Sequence, residues 1–256
     1  MFRLPVVLLS LSLIMLSACG EREKISDFSQ LSGKDFAIPT GTIADQLVTS
    51  KIPDARFQYY NSVLDSAMAV KTGKADVAAY DEPILRNIAA KNPGLTVLSE
   101  KITTDQYGFA VRQGDVALKQ AIDIEVAAMR ESGLYAEMMQ RWLPSTGNPA
   151  PMPEISLDGT EGVLRFGTAA ITEPFAFVDG SQQIVGFDIE IAARVAKRLN
   201  RKLEIVDMEF GSLIPALMAE KVDMIGACIT ITDERAKKVL FSESYYEGGI
   251  AALVRQ

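Results

Sequence analysis

The 256-residue chain contains no histidine. That absence removes imidazole acid–base catalysis, Ser-His-Asp triads and histidine metal sites together. Cysteine is nearly absent as well: Cys19 and Cys228 are the only two, and they make no disulfide framework. Basic charge is in deficit, with 26 Lys+Arg against 33 Asp+Glu and a net charge of -7 at pH 7. The chain therefore carries no electrostatic footprint for nucleic acid. No Gly-x-x-x-x-Gly-Lys-Ser/Thr loop occurs, which leaves ATP hydrolysis without a phosphate cradle. No cofactor or metal is expected. What remains is ordinary for a globular protein: 48% hydrophobic residues, ample Val, Ile, Leu and Ala for a core, and length for one large or two modest domains.

The first residues bear on the compartment. Met1-Phe2-Arg3 is a short positive start, and Leu4 to Leu16 is an almost unbroken apolar run. These are the n-region and h-region of an export signal, too short for a confident membrane span. The run ends in Leu16-Ser17-Ala18-Cys19-Gly20, which resembles the lipobox of bacterial lipoproteins. The resemblance implies a signal peptide over 1–18, acylation of Cys19, and a lipidated tether over 19–24. The protein is then held on a membrane of the cell envelope by its lipid. An ordinary cleaved signal with an incidental cysteine, or an uncleaved anchor helix, are the competing readings. Gly20 after the cysteine, rather than Asp, does not suggest inner-membrane retention.

Beyond the tether, strands and helices alternate. Strands are expected over Asp35–Pro39, Asp76–Tyr80, Tyr107–Arg112, Val163–Gly167, Lys202–Val206, Val222–Ala227 and Ile250–Val254. Helices are expected over Val63–Lys71, Pro83–Lys91 with proline in its first turn, Leu118–Arg130, Tyr135–Trp142, Ile189–Leu199, Leu213–Glu220 and Asp233–Val239. Thr40-Gly41-Thr42 reads as a turn opening another helix. Such alternation predicts parallel sheets with helices on both faces. The pattern breaks once. Pro144 to Pro153 packs four prolines into ten residues, and this surface connector spans 144–160. A loose internal echo relates Ala67-Met-Ala-Val-Lys-Thr-Gly-Lys-Ala-Asp76 to Ile214-Pro-Ala-Leu-Met-Ala-Glu-Lys-Val-Asp223, as two related halves would.

The second half carries, in order, Gly186-Phe187-Asp188-Ile189-Glu190, Phe210-Gly-Ser-Leu-Ile-Pro-Ala-Leu217, Lys221-Val-Asp223, Thr230-Ile-Thr-Asp-Glu-Arg235 and Phe241-Ser-Glu-Ser-Tyr-Tyr246. The first half carries Leu31-Ser-Gly-Lys34, Pro39-Thr-Gly-Thr42, Gly73-Lys-Ala-Asp76, Gln106-Tyr-Gly108, Gly133-Leu-Tyr135 and Arg141-Trp142. Together these resemble the extracellular solute-binding proteins of family 3, which serve polar amino-acid uptake. In that family the segment like Val163 to Val254 comes first and the segment like Leu31 to Trp142 follows. Here the blocks are exchanged, as a circular permutation would leave them. A truncated copy of a tandem double receptor is the other reading. The resemblance implies an α/β, two-lobed periplasmic-binding-protein type II fold. Lobe B would comprise 25–106 completed by the C-terminal strand 248–256, and lobe A 107–246.

It also implies a site. A buried zwitterion needs both charges met, and arginine's planar fork suits a carboxylate. Arg235 matches the family's carboxylate-binding arginine; a helix-surface salt bridge is its bland reading. The Thr230 hydroxyl, main-chain N–H groups around Cys228, and the helix starts at Asp233 and after Thr42 would add donors. Thr232 reads as a helix cap. Asp81, beside Tyr80 at a strand end, sits where the family has its amine-binding aspartate, although Asp before Glu-Pro is also a good cap. Phe210 matches an aromatic packed on the ligand's aliphatic part, with core packing as the alternative. Such bonds, ~1.5–3 kcal/mol each, account for an affinity on the order of micromolar.

Departures bear on specificity. Relatives carry an acid where this chain has Ala169 and an aromatic where it has Thr172, so a strongly basic side chain has no obvious partner. Pro39 replaces a basic or polar residue, and nearby Glu173 is a possible compensation. A small, polar or apolar amino acid is the expectation. It would be bound by a monomer and delivered to the membrane permease of an ABC transporter. Two rivals share the fold: a prephenate-type dehydratase with Glu173 as general acid, and a sensory receptor domain.

Overall fold

The computed structural model describes residues 24–144 and 149–256. The expected signal peptide, Cys19 and most of the tether lie outside the described residues. In chain order the first half gives β1 (Asp35–Pro39), α1 (Ala44–Thr49), β2 (Arg56–Tyr60), α2 (Val63–Lys71), β3 (Val77–Asp81), α3 (Glu82–Lys91) and β4 (Leu95–Val97). Next come β5 (Asp105–Tyr107), β6 (Ala110–Val111), α4 (Val116–Glu131) and α5 (Leu134–Trp142). After the proline-rich connector follow β7 (Val163–Thr168), β8 (Ile171–Thr172), β9 (Ala176–Val178), β10 (Ile184–Val185), α6 (Phe187–Arg198) and β11 (Lys202–Asp207). The chain closes with α7 (Leu213–Met218), β12 (Met224–Ile225), α8 (Asp233–Ala236), β13 (Leu240–Phe241), β14 (Tyr246–Gly248) and β15 (Ile250–Arg255).

Local chemistry sets many of these boundaries. Ser62 accepts from Asp65 N at the start of α2, and Asp115 from Leu118 N at the start of α4, each satisfying a helix-end donor. Pro83 sits in the first turn of α3, where its missing N–H costs nothing. Every residue of β3 is buried, as are the first five of β15. Strands packed on both faces read as unbroken runs of small and branched apolar residues rather than as alternation.

Two five-stranded sheets result, ordered β2-β1-β3-β15-β4 and β11-β7-β12-β6-β13. Their logic is the same. In each, three strands pair in parallel (β2-β1-β3 and β11-β7-β12), joined by helices and, between β7 and β11, also by the small sheet β10-β9-β8, and an antiparallel strand arrives from the other sheet. The incoming strand is β15 in lobe B and β6 in lobe A. The two crossings run side by side as the antiparallel pair β14-β5. The expected strand Tyr107–Arg112 is therefore two strands, separated where the chain leaves one lobe for the other. The helix expected over Asp233–Val239 stops at Ala236.

The connector makes no helix or strand over 149–160. It is tied down by Ala150 N donating to Arg141 O at 2.9 Å and by Met152 and Leu157 packing on the core. Alongside, fully buried Glu190 of α6 receives Arg141, Arg194 and the Trp142 indole N–H at 2.5 to 3.1 Å. This satisfied cluster clamps α5 to α6. One apolar cluster runs continuously from Ala37 and Tyr80 in lobe B through Tyr107 to Phe166 and Phe187 in lobe A.

Candidate functional site

The carboxyl ends of both sheets face one another, as in open parallel sheets that bind ligands. Between them lies a cavity of about 20 Å³. Lobe B contributes Thr42, Ile43, Ala44, Tyr80, Asp81 and Ile250; lobe A contributes Phe210, Cys228, Thr230 and Arg235. Thr42, Ile43, Phe210 and Arg235 also line an adjoining open groove of about 860 Å³, walled by Leu213, Ile214 and Met218. The smaller volume holds about one water, so an amino acid enters only if the lobes part. The lobes touch at the groove through two glycines: a Cβ placed on Gly41 would stand 3.3 Å from Gly211 Cα.

Arg235 rises from the single-turn helix α8, which Thr232 caps by accepting from Arg235 N at 3.2 Å. One guanidinium N–H donates to Thr230 O at 3.0 Å, and the cation lies over the Phe210 ring with 5.5 Å to its centroid. Among the described residues the fork makes no other hydrogen bond. Burial pulls this guanidinium down from its usual pKa, while Tyr80 and Asp81 pull it back up.

Asp81 ends β3, only 5% exposed. It precedes α3, yet its side chain makes no capping bond. Its Oδ1 instead accepts a short hydrogen bond from the Tyr107 hydroxyl, and the other oxygen has no hydrogen bond among the described residues. Burial pushes this carboxyl up to about 7, against the opposing pull of Tyr107 and Arg235. A cation placed between Asp81 and its surroundings would restore the ionised form.

Three expected donors are otherwise engaged. The Cys228 N–H does not face the cavity as a free donor: it donates to Asp188 Oδ2 at 3.3 Å, with Cys228 held at φ 54. The Thr42 hydroxyl donates to Pro39 O and accepts from Ala44 N within its own turn. The helix start at Asp233 is one turn long, and the Thr232 hydroxyl already takes one of its N–H groups. Glu173 does not line the cavity. It pairs across the lobes with Lys91 of α3 at 2.5 Å and is absent from the lining of the adjoining groove as well.

The sequence reading missed two side chains. Tyr107 is fully buried at the crossover, stacked on Tyr246 at 5.7 Å and edge-on to Phe175 at 6.4 Å. Asp188 is fully buried at the head of α6, raised to about 7 mainly by burial. Its Oδ1 and the Tyr245 hydroxyl make no hydrogen bond of normal geometry, though they interact electrostatically. An aspartate inside a run of buried apolar residues was the available signal.

Residues 164–256 match the family model of bacterial extracellular solute-binding proteins, family 3. Over that segment, a little over a third of the chain, the protein resembles this family, and its α/β fold is of the periplasmic-binding-protein type II kind. Among curated relatives, the arginine-binding extracellular protein ArtP of Bacillus subtilis is 45% identical over 83 residues, 32% of each chain. The lysine/arginine/ornithine-binding periplasmic protein of Escherichia coli is 31% identical over 118 residues, 46% of this chain and 42% of that one. The arginine-bound form of domain 1 from TmArgBP is a similar solved structure, 45% identical over 37% of this chain and 80% of that chain, with a TM-score of 0.33. The chain spans about a third of the length of the first curated relatives it matches. These relatives are solute-binding proteins rather than enzymes.

Proposed function

We propose that the protein is a cell-envelope receptor that holds one free amino acid between its lobes and hands it to the permease of an ABC transporter. The observation that carries this reading is Arg235 and Asp81 facing one cavity from opposite lobes. A guanidinium and a carboxylate so placed complement the two ends of a zwitterion, and neither lobe alone supplies both. Arg235 takes the carboxylate, Asp81 the ammonium, Phe210 the aliphatic part, and the Thr230 hydroxyl adds a donor. Binding then draws the lobes together, because only the closed form makes both sets of bonds.

The relatives named for arginine make arginine the first candidate to try. Against it stand Ala169 and Thr172, which replace the acid and the aromatic that the resemblance leads one to expect, and Glu173, which is paired to Lys91. Among the described residues Asp81 is the sole acid on the cavity wall, and Glu234 is the sole acid lining the adjoining groove. We therefore favour a small polar or apolar amino acid. The identical strand order of the two sheets supports two lobes over 25–106 with 248–256 and over 107–246. We further propose a circular permutation, on the exchanged order of the family-like segments, in which the connector joins ends that are separate in the family. Lipidation at Cys19, a monomeric state and an envelope location complete the proposal.

A thermal-shift screen of the delipidated protein against the L-amino acids, arginine included, tests it: a closed-form ligand raises Tm by mass action. Loss of that rise in Arg235→Ala and Asp81→Ala is expected. If no amino acid moves Tm, the reading is wrong.

A further inference from the structure

The buried hydroxyl of Tyr107 lies where the site and the interlobe crossing meet. It accepts a hydrogen bond from Gly249 N at 3.1 Å and donates to Asp81 Oδ1. An amide can only donate, so the phenolic proton is left for the carboxylate. Gly249 is otherwise held on both sides: its carbonyl accepts from Glu82 N at 3.0 Å, next to Asp81. Its neighbours are held too, Gly248 O by Lys101 Nζ and Ile250 N by the Thr103 hydroxyl, each at 3.1 Å. The fit leaves no slack. A Cβ on Gly248 would stand 2.2 Å from the Tyr107 ring and hydroxyl, and one on Gly249 would stand 2.0 Å from Thr103 O.

We propose that Tyr107 is a positioning residue: one hydroxyl ties the ammonium acceptor Asp81 to the crossing strand at Gly249, so that ligand charge and lobe geometry are coupled through a single bond pair. This rests on the reading that Asp81 receives the ammonium. An ionised Asp81 makes the bond to Tyr107 charge-assisted and stronger, which fixes Gly249 in the geometry seen here. A ligand that ionises Asp81 thereby stiffens the crossing.

Other charged and titratable groups also act on Asp81 or sense its charge, and Tyr107→Phe leaves their side chains in place. Asp105 of β5 raises its pKa and Arg235 of α8 lowers it; Tyr80, Cys228, Asp188 and Tyr246 sense its charge. Glu82 is paired to Arg86 and Lys101.

The test uses the ligand-free protein. Carbon NMR follows the Asp81 carboxyl through a pH titration, with Asp81→Asn identifying the signal, and amide exchange follows Gly249 and Ile250. Tyr107→Phe keeps the ring and removes the donor. The Asp81 midpoint should rise by about one pH unit, the tenfold loss expected of a charge-assisted bond. Gly249 should exchange about tenfold faster while Ile250, still bound to Thr103, does not. Replacing Tyr107 with 3-fluorotyrosine strengthens the donor in the same ring and should move the midpoint down. An unchanged midpoint in both, or an unchanged Gly249 amide, overturns the proposal. If Tyr107→Phe fails to fold, the fluorinated protein alone decides. None of these readouts needs a ligand, so their failure is distinct from a failed amino-acid screen.

Discussion

Binding should tighten as pH rises, because the ammonium acceptor is largely protonated in mildly acidic solution. Burial pushes Asp81 up to about 7 from an ordinary 3.8. A ligand ammonium favours the carboxylate, so the bound form has the lower pKa and binding expels a proton. Below pH 7 the observed Kd then grows tenfold per unit. Between pH 8 and pH 5.5 the loss is about 30-fold, or roughly 2 kcal/mol. Titration calorimetry with the amino acid that gives the largest thermal shift measures this directly. Near pH 6, paired runs in buffers of different ionisation enthalpy should report release of close to one proton per ligand. Asp81→Asn should bind more weakly at pH 8 and show a flattened profile. A Kd that is constant from pH 5.5 to 8, without proton release, would refute the assignment of Asp81.

Other consequences follow from the same geometry. Asp81 and Asp188 both stand near 7 in the fold; a carboxyl so raised contributes stability fully below its unfolded pKa and loses it as pH climbs through the folded one. The ligand-free Tm should therefore fall from pH 5 to pH 8, by about 2–3 kcal/mol of stability per carboxyl, and Asp188→Asn should remove part of that slope. Arg235→Lys keeps the charge but not the fork, and should weaken binding about ten- to hundredfold in calorimetry with the fold intact. Gly211→Leu places a wedge against Gly41, whose Cα would lie 3.7 Å from the new Cβ; small-angle scattering should then show no compaction on adding ligand. Glu190→Ala strands two arginines and an indole N–H, and should cost about 3–5 kcal/mol in denaturant melts.

Much of the scaffold was legible because burial leaves a plain record. The runs Val77 to Tyr80 and Ile250 to Val254 have no polar member, and a strand buried on both faces demands that. The Lys-x-Asp echo marked the turn before β3 and before β12, where Asp223 binds Arg165 N and its guanidinium. The crossings, at β5 and β14, were legible only through the family resemblance, which put them near Gln106–Gly108 and Tyr246–Gly249, and not through any local pattern. Nothing local divides Tyr107 from Val111; the break exists because β6 must enter a sheet built by residues more than fifty positions later. The small sheet β10-β9-β8 was missed for its strands of two or three residues. At the site, Arg235 and Asp81 stood in motifs that assign them a role, whereas Tyr107 stood in Gln106-Tyr-Gly108 without one. Its role depends on where its hydroxyl ends, and spacing carries no trace of that.

The central claim is that Arg235 and Asp81, one from each lobe, grip opposite ends of one ligand. The most direct measurement is a calorimetric truncation cycle, in which Arg235→Lys and Asp81→Asn are each titrated with the amino acid, its amide and its desamino acid. The account predicts that amidation erases the penalty of the Arg235 change alone, and that removing the amine erases that of Asp81 alone. Penalties that simply add, or that pair the other way round, would contradict it.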